Sequence, residues 1–155
     1  MVAFLLAWNP RRAQWQERHN LQKRLQLGKH AVTQWGMMSK SVEPGDRLFF
    51  IRLGVPPKGI FAIGSAVTSS YLSPHWNETK RLAGKKARCV DVALVEYLDP
   101  DRQPVLGVEQ LVECPFNEMH WSIQGSGVMI PGHVADALDS LWQTHYRALD
   151  CETNA

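Results

Sequence analysis

Apolar positions along the chain follow two different periods, and the changes of period mark the predicted elements. Five runs rich in β-branched, aromatic and aliphatic residues have the length and composition of strands. These runs cover residues 2–8, 47–53, 60–69, 89–98 and 128–130. Pro44-Gly45-Asp46 predicts a turn before the second run, and Pro56-Pro57-Lys58-Gly59 predicts a hairpin turn after it. Residues 31–37 are compatible with a short strand or a loop.

Two other segments have helical spacing. Residues 11–29 are rich in Arg, Lys and Gln, and Leu21 and Leu25 lie one turn apart, which predicts a basic helix with a narrow apolar stripe. From about His133 to Ala148 a second helix is predicted. Its apolar face collects Val134, Leu138, Leu141 and Trp142. A strand-rich middle between two helices predicts an α+β fold around a curved or barrel-like sheet.

Length and composition narrow the class of protein. The chain has 155 residues, of which 45% are hydrophobic, so a single domain with a real core is expected. No apolar run approaches the roughly 20 residues of a membrane span, and no secretory leader is recognisable, so a cytoplasmic protein without membrane contact is expected. Cys89, Cys114 and Cys151 are far apart and predict neither a disulfide framework nor a zinc knuckle.

The charge is divided along the chain although the net charge is only +2. Residues 1–90 hold 15 Lys or Arg against 4 Asp or Glu, whereas residues 91–155 hold 2 against 11. A domain polarised in this way can offer a basic face to a polyanion. Solvated surface charge is the simpler interpretation of the same pattern.

Motifs for catalysis are missing from the sequence. There is no nucleophile elbow, no phosphate-binding Gly-Lys loop, no zinc-protease helix and no deaminase pattern. The six histidines do not fall at metal-ligand spacing. A protein that is not an enzyme, with no cofactor and no metal, is therefore expected.

Tryptophan is the more informative residue type, because the chain has six. Trp142 is assigned to the core, and the others lie beside Asn, Pro, Gly, Ser or Gln. Two stretches stand out: Trp8-Asn9-Pro10, and residues 121–127 with the sequence WSIQGSG. Each combines an indole ring with amide or hydroxyl groups, which suits a pocket that stacks a nucleobase and hydrogen-bonds its edge. Asn9, Ser122, Gln124 and Ser126 are the candidate edge readers.

At this point the sequence resembles the EVE domains. The resemblance rests on residues 4–10 with Trp15, on VEPGDRLFF at 42–50 and on KGIFAIG at 58–64, which occur in the EVE order. The late WSIQGSG stretch is similar to the W-x-x-Q-x-S-G loop of EVE-like modules attached to modification-dependent restriction nucleases. The likeness covers about residues 3–145 of one domain spanning 1–155.

The resemblance implies a PUA-like fold related to YTH and SRA readers, with a curved β-barrel of about five to six strands flanked by helices. It also implies an aromatic pocket that holds a flipped, modified base. The implied base-binding residues are Trp8, Asn9, Arg52, Leu53, Gly54, Trp76, Trp121, Ser122, Gln124, Ser126 and Gly127. No nuclease motif accompanies them, so a separate nuclease or effector is a possible partner.

The favoured function is a reader of methylated or hydroxymethylated cytosine, or of methyladenine, in DNA. A modified-RNA-binding module is the first alternative, and a small enzyme or nucleotide-binding pocket on the same fold is the second. Basic side chains are expected to hold phosphates. The candidates are Arg11, Arg12, Arg18, Lys23, Arg24, Lys80, Arg81, Lys85 and Lys86.

Overall fold

The computed structural model describes residues 2–154, and the side chains of residues 2–150. Three helices and eight strands are present in this range. The strands are β1 (Ala3–Trp8), β2 (Val32–Gly36), β3 (Arg47–Arg52), β4 (Gly59–Ala66), β5 (Tyr71–Pro74), β6 (Lys86–Tyr97), β7 (Leu106–Gly107) and β8 (Val128–Ile130). The helices are α1 (Arg18–Gln26), α2 (Glu78–Leu82) and α3 (Gly132–Asn154). Two 3-10 turns cover Val108–Leu111 and Phe116–Glu118.

All eight strands belong to one mixed sheet. Its main order is β2-β6-β4-β3-β1-β8, with β5 paired to β6 and β7 paired to β4. The β1–β3 pair is parallel, and the other pairs are antiparallel. The predicted α+β class is confirmed. The predicted number of five to six strands is too low, because β5 and β7 are too short to give a clear apolar pattern, whereas β8 is found at its predicted residues.

The sheet does not close into a barrel. Within residues 2–154, no strand ladder joins the two ends of the order, β2 and β8. The two ends nevertheless approach each other just beyond the strands, where the Met38 N–H donates to the Ser126 carbonyl at 2.9 Å. We call this junction of residues 36–38 with residues 125–127 the seam. The sheet is therefore an open, curved structure held at one point rather than a closed barrel.

The central strands bury both of their faces. Phe4 and Leu6 of β1 join one apolar cluster, and Leu5 between them joins the other. This period of two is what a strand imposes on successive side chains. The first cluster lies with Trp8, Trp15 and the α1 side, and the second is covered by α3. As predicted, Val134, Leu138 and Trp142 are fully buried on the inner face of α3.

Two sequence predictions about the basic segments need correction. The helix predicted over 11–29 is restricted to Arg18–Gln26, because the Asn9 carbonyl accepts hydrogen bonds from Arg12 and Ala13 in a turn that precedes it. The polar sequence of residues 73–76 predicts a loop that continues into a basic segment over 80–88, but residues 73–74 belong to strand β5 and the basic segment is divided between α2 and β6. Among the described helices, none is both long and apolar enough to cross a membrane.

Candidate functional site

An open cleft of about 820 Å³ lies where the seam meets the end of β1. Its walls come from distant parts of the chain: the turn after β1, the end of β2, the start of α2, the early part of β6 and the loop before β8. The volume is within the range of pockets that hold a small organic ligand. Apart from residues 123–126, every lining residue belongs to the basic half of the chain. The acidic half contributes only this one loop.

Four tryptophans line the cleft: Trp8, Trp15, Trp35 and Trp76. Trp76 is 59% exposed, Trp35 is half-buried and Trp15 is 8% exposed. The Trp15 and Trp35 rings meet edge to face with their centroids 4.7 Å apart, and the Trp35 N–H donates to the Ala7 carbonyl at 3.3 Å. The Trp15 indole N–H is buried and has no hydrogen-bond partner among the described residues. Trp76 is thus the ring best placed to receive a flat ligand.

Trp8 lines the cleft but is not free to stack on a ligand. Its ring is 4% exposed, and the guanidinium carbons of Arg18 and Arg52 lie 5.1 Å and 5.4 Å from its centroid. The Trp8 indole N–H donates to the Ala13 carbonyl at 3.1 Å. Cations over an indole face are attracted by its quadrupole, so these contacts fix the ring. The structure makes Trp8 a support for the turn that forms one wall.

Five amide side chains line the same cleft: Asn9, Gln14, Gln34, Asn77 and Gln124. The Gln34 amide donates to the Tyr71 hydroxyl at 2.9 Å and to the Ser73 hydroxyl at 3.2 Å, so β5 orients it. Gln14 and Gln124 are exposed, and their side chains make no hydrogen bond to another described residue. Amides offer both a donor and an acceptor, so these two are available to pair with the edge of a ring.

Asn9 is held in place by Gly54. The Asn9 side-chain oxygen accepts a hydrogen bond from the Arg11 N–H at 3.0 Å. Gly54 has φ +80°, and a Cβ at this position would lie 2.3 Å from the Asn9 oxygen. Only glycine fits both conditions. Gly54 therefore does not line the cleft but makes room for Asn9, while Leu53 beside it is a lining residue.

The loop before β8 closes the seam. The Ser126 hydroxyl accepts from the Ala7 N–H at 2.9 Å and donates to the Ala7 carbonyl at 3.3 Å, continuing the hydrogen bonding beyond β8. A Cβ on Gly125 would lie 2.2 Å from the Met38 sulfur. Ser126 and Gln124 line the cleft, whereas Ser122 and Gly127 do not. Ser126 is therefore already bonded to backbone, and Gln124 is the free polar group of this loop.

Trp121 lies outside the cleft, which corrects the prediction that it shares a cavity with Trp8. It is 8% exposed and belongs to the apolar cluster under α3, not to the cluster that contains Trp8. Its N–H donates to the Phe116 carbonyl at 2.9 Å, and the two rings are 6.4 Å apart. The Trp121 ring thus anchors the start of the loop whose later residues reach the cleft.

Apart from Arg18, the predicted phosphate contacts divide into three groups. Arg12 lines the cleft and is exposed, and Arg11 is exposed beside it. The second group is exposed on and after α2, next to the lining residues Trp76 and Asn77: Lys80, Arg81, Lys85 and Lys86. Lys23 and Arg24 are exposed on α1 and do not line the cleft. Arg88, which the sequence prediction omitted, does line it.

Arg18 and Arg52 are tied into an ion-pair network, so neither is a free contact for a ligand. Arg18 pairs with the buried Asp99 at 3.2 Å and with Asp101 at 2.8 Å. Arg52 is buried, pairs with Asp101 at 3.2 Å and donates to the Val55 carbonyl at 3.3 Å. Both guanidinium groups also cover Trp8. The network therefore holds Trp8 in place, and through Trp8 it supports the turn after β1 that forms one wall of the cleft.

We expect this network to weaken at low pH through Asp101. Its hydrogen bond from Arg18, aided by Arg52, holds the pKa of Asp101 below its usual value. A carboxyl with a lowered folded-state pKa contributes stability that is present above its unfolded pKa, about 3.9, and is lost as the pH falls through the folded value. Urea unfolding should show Asp101→Asn less stable than wild type at about pH 7, with the difference vanishing near pH 2. An equal difference at both pH values would contradict this role.

His75 lies at the edge of the cleft, before Trp76. Its Nδ1 accepts a hydrogen bond from the Asn77 N–H at 3.0 Å, and its ring lies 5.2 Å from that of Trp76. Desolvation, with Lys80 and Lys85 nearby, lowers the pKa of His75, so the imidazole is neutral at pH 7. Among the described residues, no group of three or more His, Cys, Asp or Glu is arranged to hold a metal ion.

Sequence reasoning missed several residues of the cleft: Gln14, Gln34, Met38 and Arg88 were not singled out, and Trp15 and Trp35 were left unassigned. The positions of Gln34, Trp35 and Arg88 depend on the β2–β6 pairing, in which Trp35 faces Val90. A pairing between such distant segments leaves no local pattern in one sequence. The presence of both Trp15 and Trp35 in the wall is a result of the structure alone.

Comparison with known proteins identifies relatives in fold only. No family model matches the chain, and no curated protein does. A solved protein from Pseudomonas syringae has a TM-score of 0.61 at 19% identity, covering 90% of this chain and 98% of its own. A hypothetical protein from Leishmania major gives 0.64 at 14%, covering 93% and 96%. A protein from Pseudomonas putida gives 0.60 at 17%, covering 90% and 98%.

Proposed function

We propose that this protein is a nucleic-acid-binding reader that receives one flipped, modified base in the cleft beside the seam. Modified DNA is the favoured ligand, and no chemistry on the base is required of the protein. The fold that fits the proposal is that of the EVE and PUA-like modules, which the sequence resembles. An open mixed sheet with helices on its sides is compatible with that assignment.

The observation that carries the proposal is the combination of groups in one cleft. An exposed indole, Trp76, lies on the same cleft as two uncommitted amides, Gln14 and Gln124. A base removed from its stack needs a flat surface for its ring and donors and acceptors for its edge. This cleft supplies both kinds of group. Trp35 extends the aromatic wall beside them.

Charge around the cleft supports a polyanionic ligand. Arg12 and Arg88 are lining residues, and the only acidic lining residue is Glu78. Arg12 forms no ion pair within the described part of the chain. Lys85 and Lys86 are exposed directly before the lining residues Ala87 and Arg88. Neutralising phosphates with such side chains releases counterions, so binding should weaken steeply with salt.

Trp76→Ala is expected to weaken binding of modified oligonucleotides. Stacking of a base on an aromatic ring is worth about 1–3 kcal/mol, which corresponds to roughly 5- to 150-fold in Kd. Binding would be measured by fluorescence anisotropy with single-stranded oligonucleotides that carry 5-methylcytosine, 5-hydroxymethylcytosine or N6-methyladenine. Unmodified strands and RNA strands of the same sequence would be titrated in parallel, since only RNA offers a 2′-hydroxyl.

The controls separate stacking from folding. Trp76→Phe keeps an aromatic face and should retain most of the affinity. Because Trp76 is mostly exposed, its replacement should change the free energy of unfolding by less than about 0.5 kcal/mol. Equal binding of modified and unmodified strands by the wild type would refute a modification reader. Tighter binding to the RNA strands would transfer the proposal from DNA to RNA.

A further inference from the structure

A hairpin arm next to the cleft carries an arrangement that a base pocket alone does not require. We define the arm as residues 71–89, which comprise β5, α2 and the first residues of β6. Its two strands pair in the register Tyr71 to Cys89 and Pro74 to Lys86, and α2 lies at its tip. The arm also supplies the lining residues Trp76, Asn77 and Glu78 to the cleft.

The tip of the arm exposes a large apolar side chain to solvent. Leu82, at the end of α2, is 79% exposed, and α2 contains no buried residue. A leucine in this position contributes little to folding, because it stays in water. An exposed apolar group of this kind is informative when charged groups surround it.

Cations surround Leu82 on the arm. Lys80 and Arg81 precede it, and Lys85 and Lys86 follow it across the Gly84 turn. None of these four forms an ion pair with a described residue, and Glu78 is the only acidic residue of the arm. Four unpaired cations thus lie around one exposed apolar side chain. This arrangement is complementary to a nucleic acid, in which phosphates flank the apolar stack of bases.

We propose that the arm enters a nucleic-acid duplex, with Leu82 inserted into the base stack at the place that the flipped base leaves. This inference rests on the proposed function. Leu82 is four residues after the lining residue Glu78, about 6 Å along the helix, so the tip and the cleft can act on one nucleotide and its gap. Apolar side chains are known to wedge between base steps in this way and to offset the cost of unstacking.

The position of the aromatic residue favours a duplex over a lipid surface. A helix that lies on a membrane presents its apolar side chains on one continuous face. Here Trp76 lines the cleft, whereas Leu82 lies at the other end of α2, a helix of only five residues. The two side chains do not build one apolar face. A gap in a base stack needs only one side chain.

The test compares the same modified strand in single-stranded and duplex form. Leu82→Ala should leave binding to the single strand unchanged and weaken binding to the duplex by about tenfold, because the buried apolar volume of the wedge is lost. Leu82→Met should retain duplex binding, since methionine also serves as a wedge. Leu27→Ala is the matched control, because Leu27 is 61% exposed at the end of α1 and outside the arm.

The outcomes distinguish the wedge from the reader. If the wild type binds no modified strand above its unmodified counterpart, the proposed function fails and the wedge fails with it. If the wild type discriminates but Leu82→Ala binds the duplex as tightly as wild type does, the wedge alone is overturned. An equal loss on single strand and duplex also overturns it. The wedge is also overturned if Leu82→Ala loses binding to phosphatidylserine vesicles but keeps its binding to the duplex, because this result would place the arm at a membrane.

Discussion

Trp8→Ala is expected to lower the free energy of unfolding by about 3–5 kcal/mol, the usual range for truncating a buried tryptophan. The ring fills the space between Trp15, whose centroid is 5.8 Å away, and Phe61, at 5.7 Å. Its removal also strips Arg18 and Arg52 of the indole face that both cover. We expect cleft affinity to fall as well, because the Ala13 carbonyl loses the N–H that anchors the turn.

Urea unfolding followed by circular dichroism measures the first effect, and anisotropy titration of the folded protein measures the second. Trp8→Phe is the matched control: it keeps a ring in the cluster and removes the hydrogen bond to Ala13, at a cost of about 1 kcal/mol for the bond. A loss below about 1 kcal/mol for Trp8→Ala would mean that the cluster closes around the space without difficulty.

Trp142→Ala should be comparably destabilising, by about 3–5 kcal/mol, for a reason unrelated to the cleft. Trp142 is fully buried on the inner face of α3, its ring stacks on Tyr146 at 5.8 Å, and its N–H donates to a Glu96 carboxylate oxygen at 3.0 Å. A total stability of about 5–15 kcal/mol is usual for natural domains, so a loss of this size is a large fraction of it.

The contrast between these two variants tests the division of the sheet into two cores. Trp142 belongs to the cluster opposite that of Trp8 and does not line the cleft. At a temperature where Trp142→Ala is still folded, its affinity for a modified strand should match that of wild type. A matching loss of affinity in both variants would show that the two faces of the sheet are coupled, contrary to the structure.

The sequence predicted the elements with a strong local period. The apolar stripe of α3 is such a case, although the helix continues to Asn154, beyond its predicted end at Ala148, and the continuous apolar run of β1 is found close to its predicted bounds. The short strands β5 and β7 were missed, since two to four residues carry too few positions for a period. Helix α1 was predicted too long because arginine and glutamine, which favour helices, continue through a turn that Asn9 and Pro10 initiate.

The candidate site was predictable only in part, for a related reason. Gln124 was identified from its local sequence and Trp76 from the resemblance to EVE domains, and both line the cleft. Trp8 and Trp121 carried the same local signal and are both buried, Trp8 as a fixed part of the cleft wall and Trp121 outside the cleft. A tryptophan beside amides and glycines looks alike in either place, because burial depends on which distant strand arrives next to it. Whether a tryptophan is buried is therefore decided by the order of strands in the sheet and not by the residues next to it in the sequence.

The seam makes the cleft a gap in a curved sheet rather than a hollow between two rigid bodies. The two segments of the seam, residues 36–38 and 125–127, are joined by the hydrogen bond from Met38 to Ser126 and by the close approach of Gly125 to Met38. Along the sheet, these two segments are connected through β6, β4, β3 and β1. We therefore expect the width of the cleft to depend on how strongly the whole sheet is bent. The stiffness of these four strands then sets the resistance to a larger ligand.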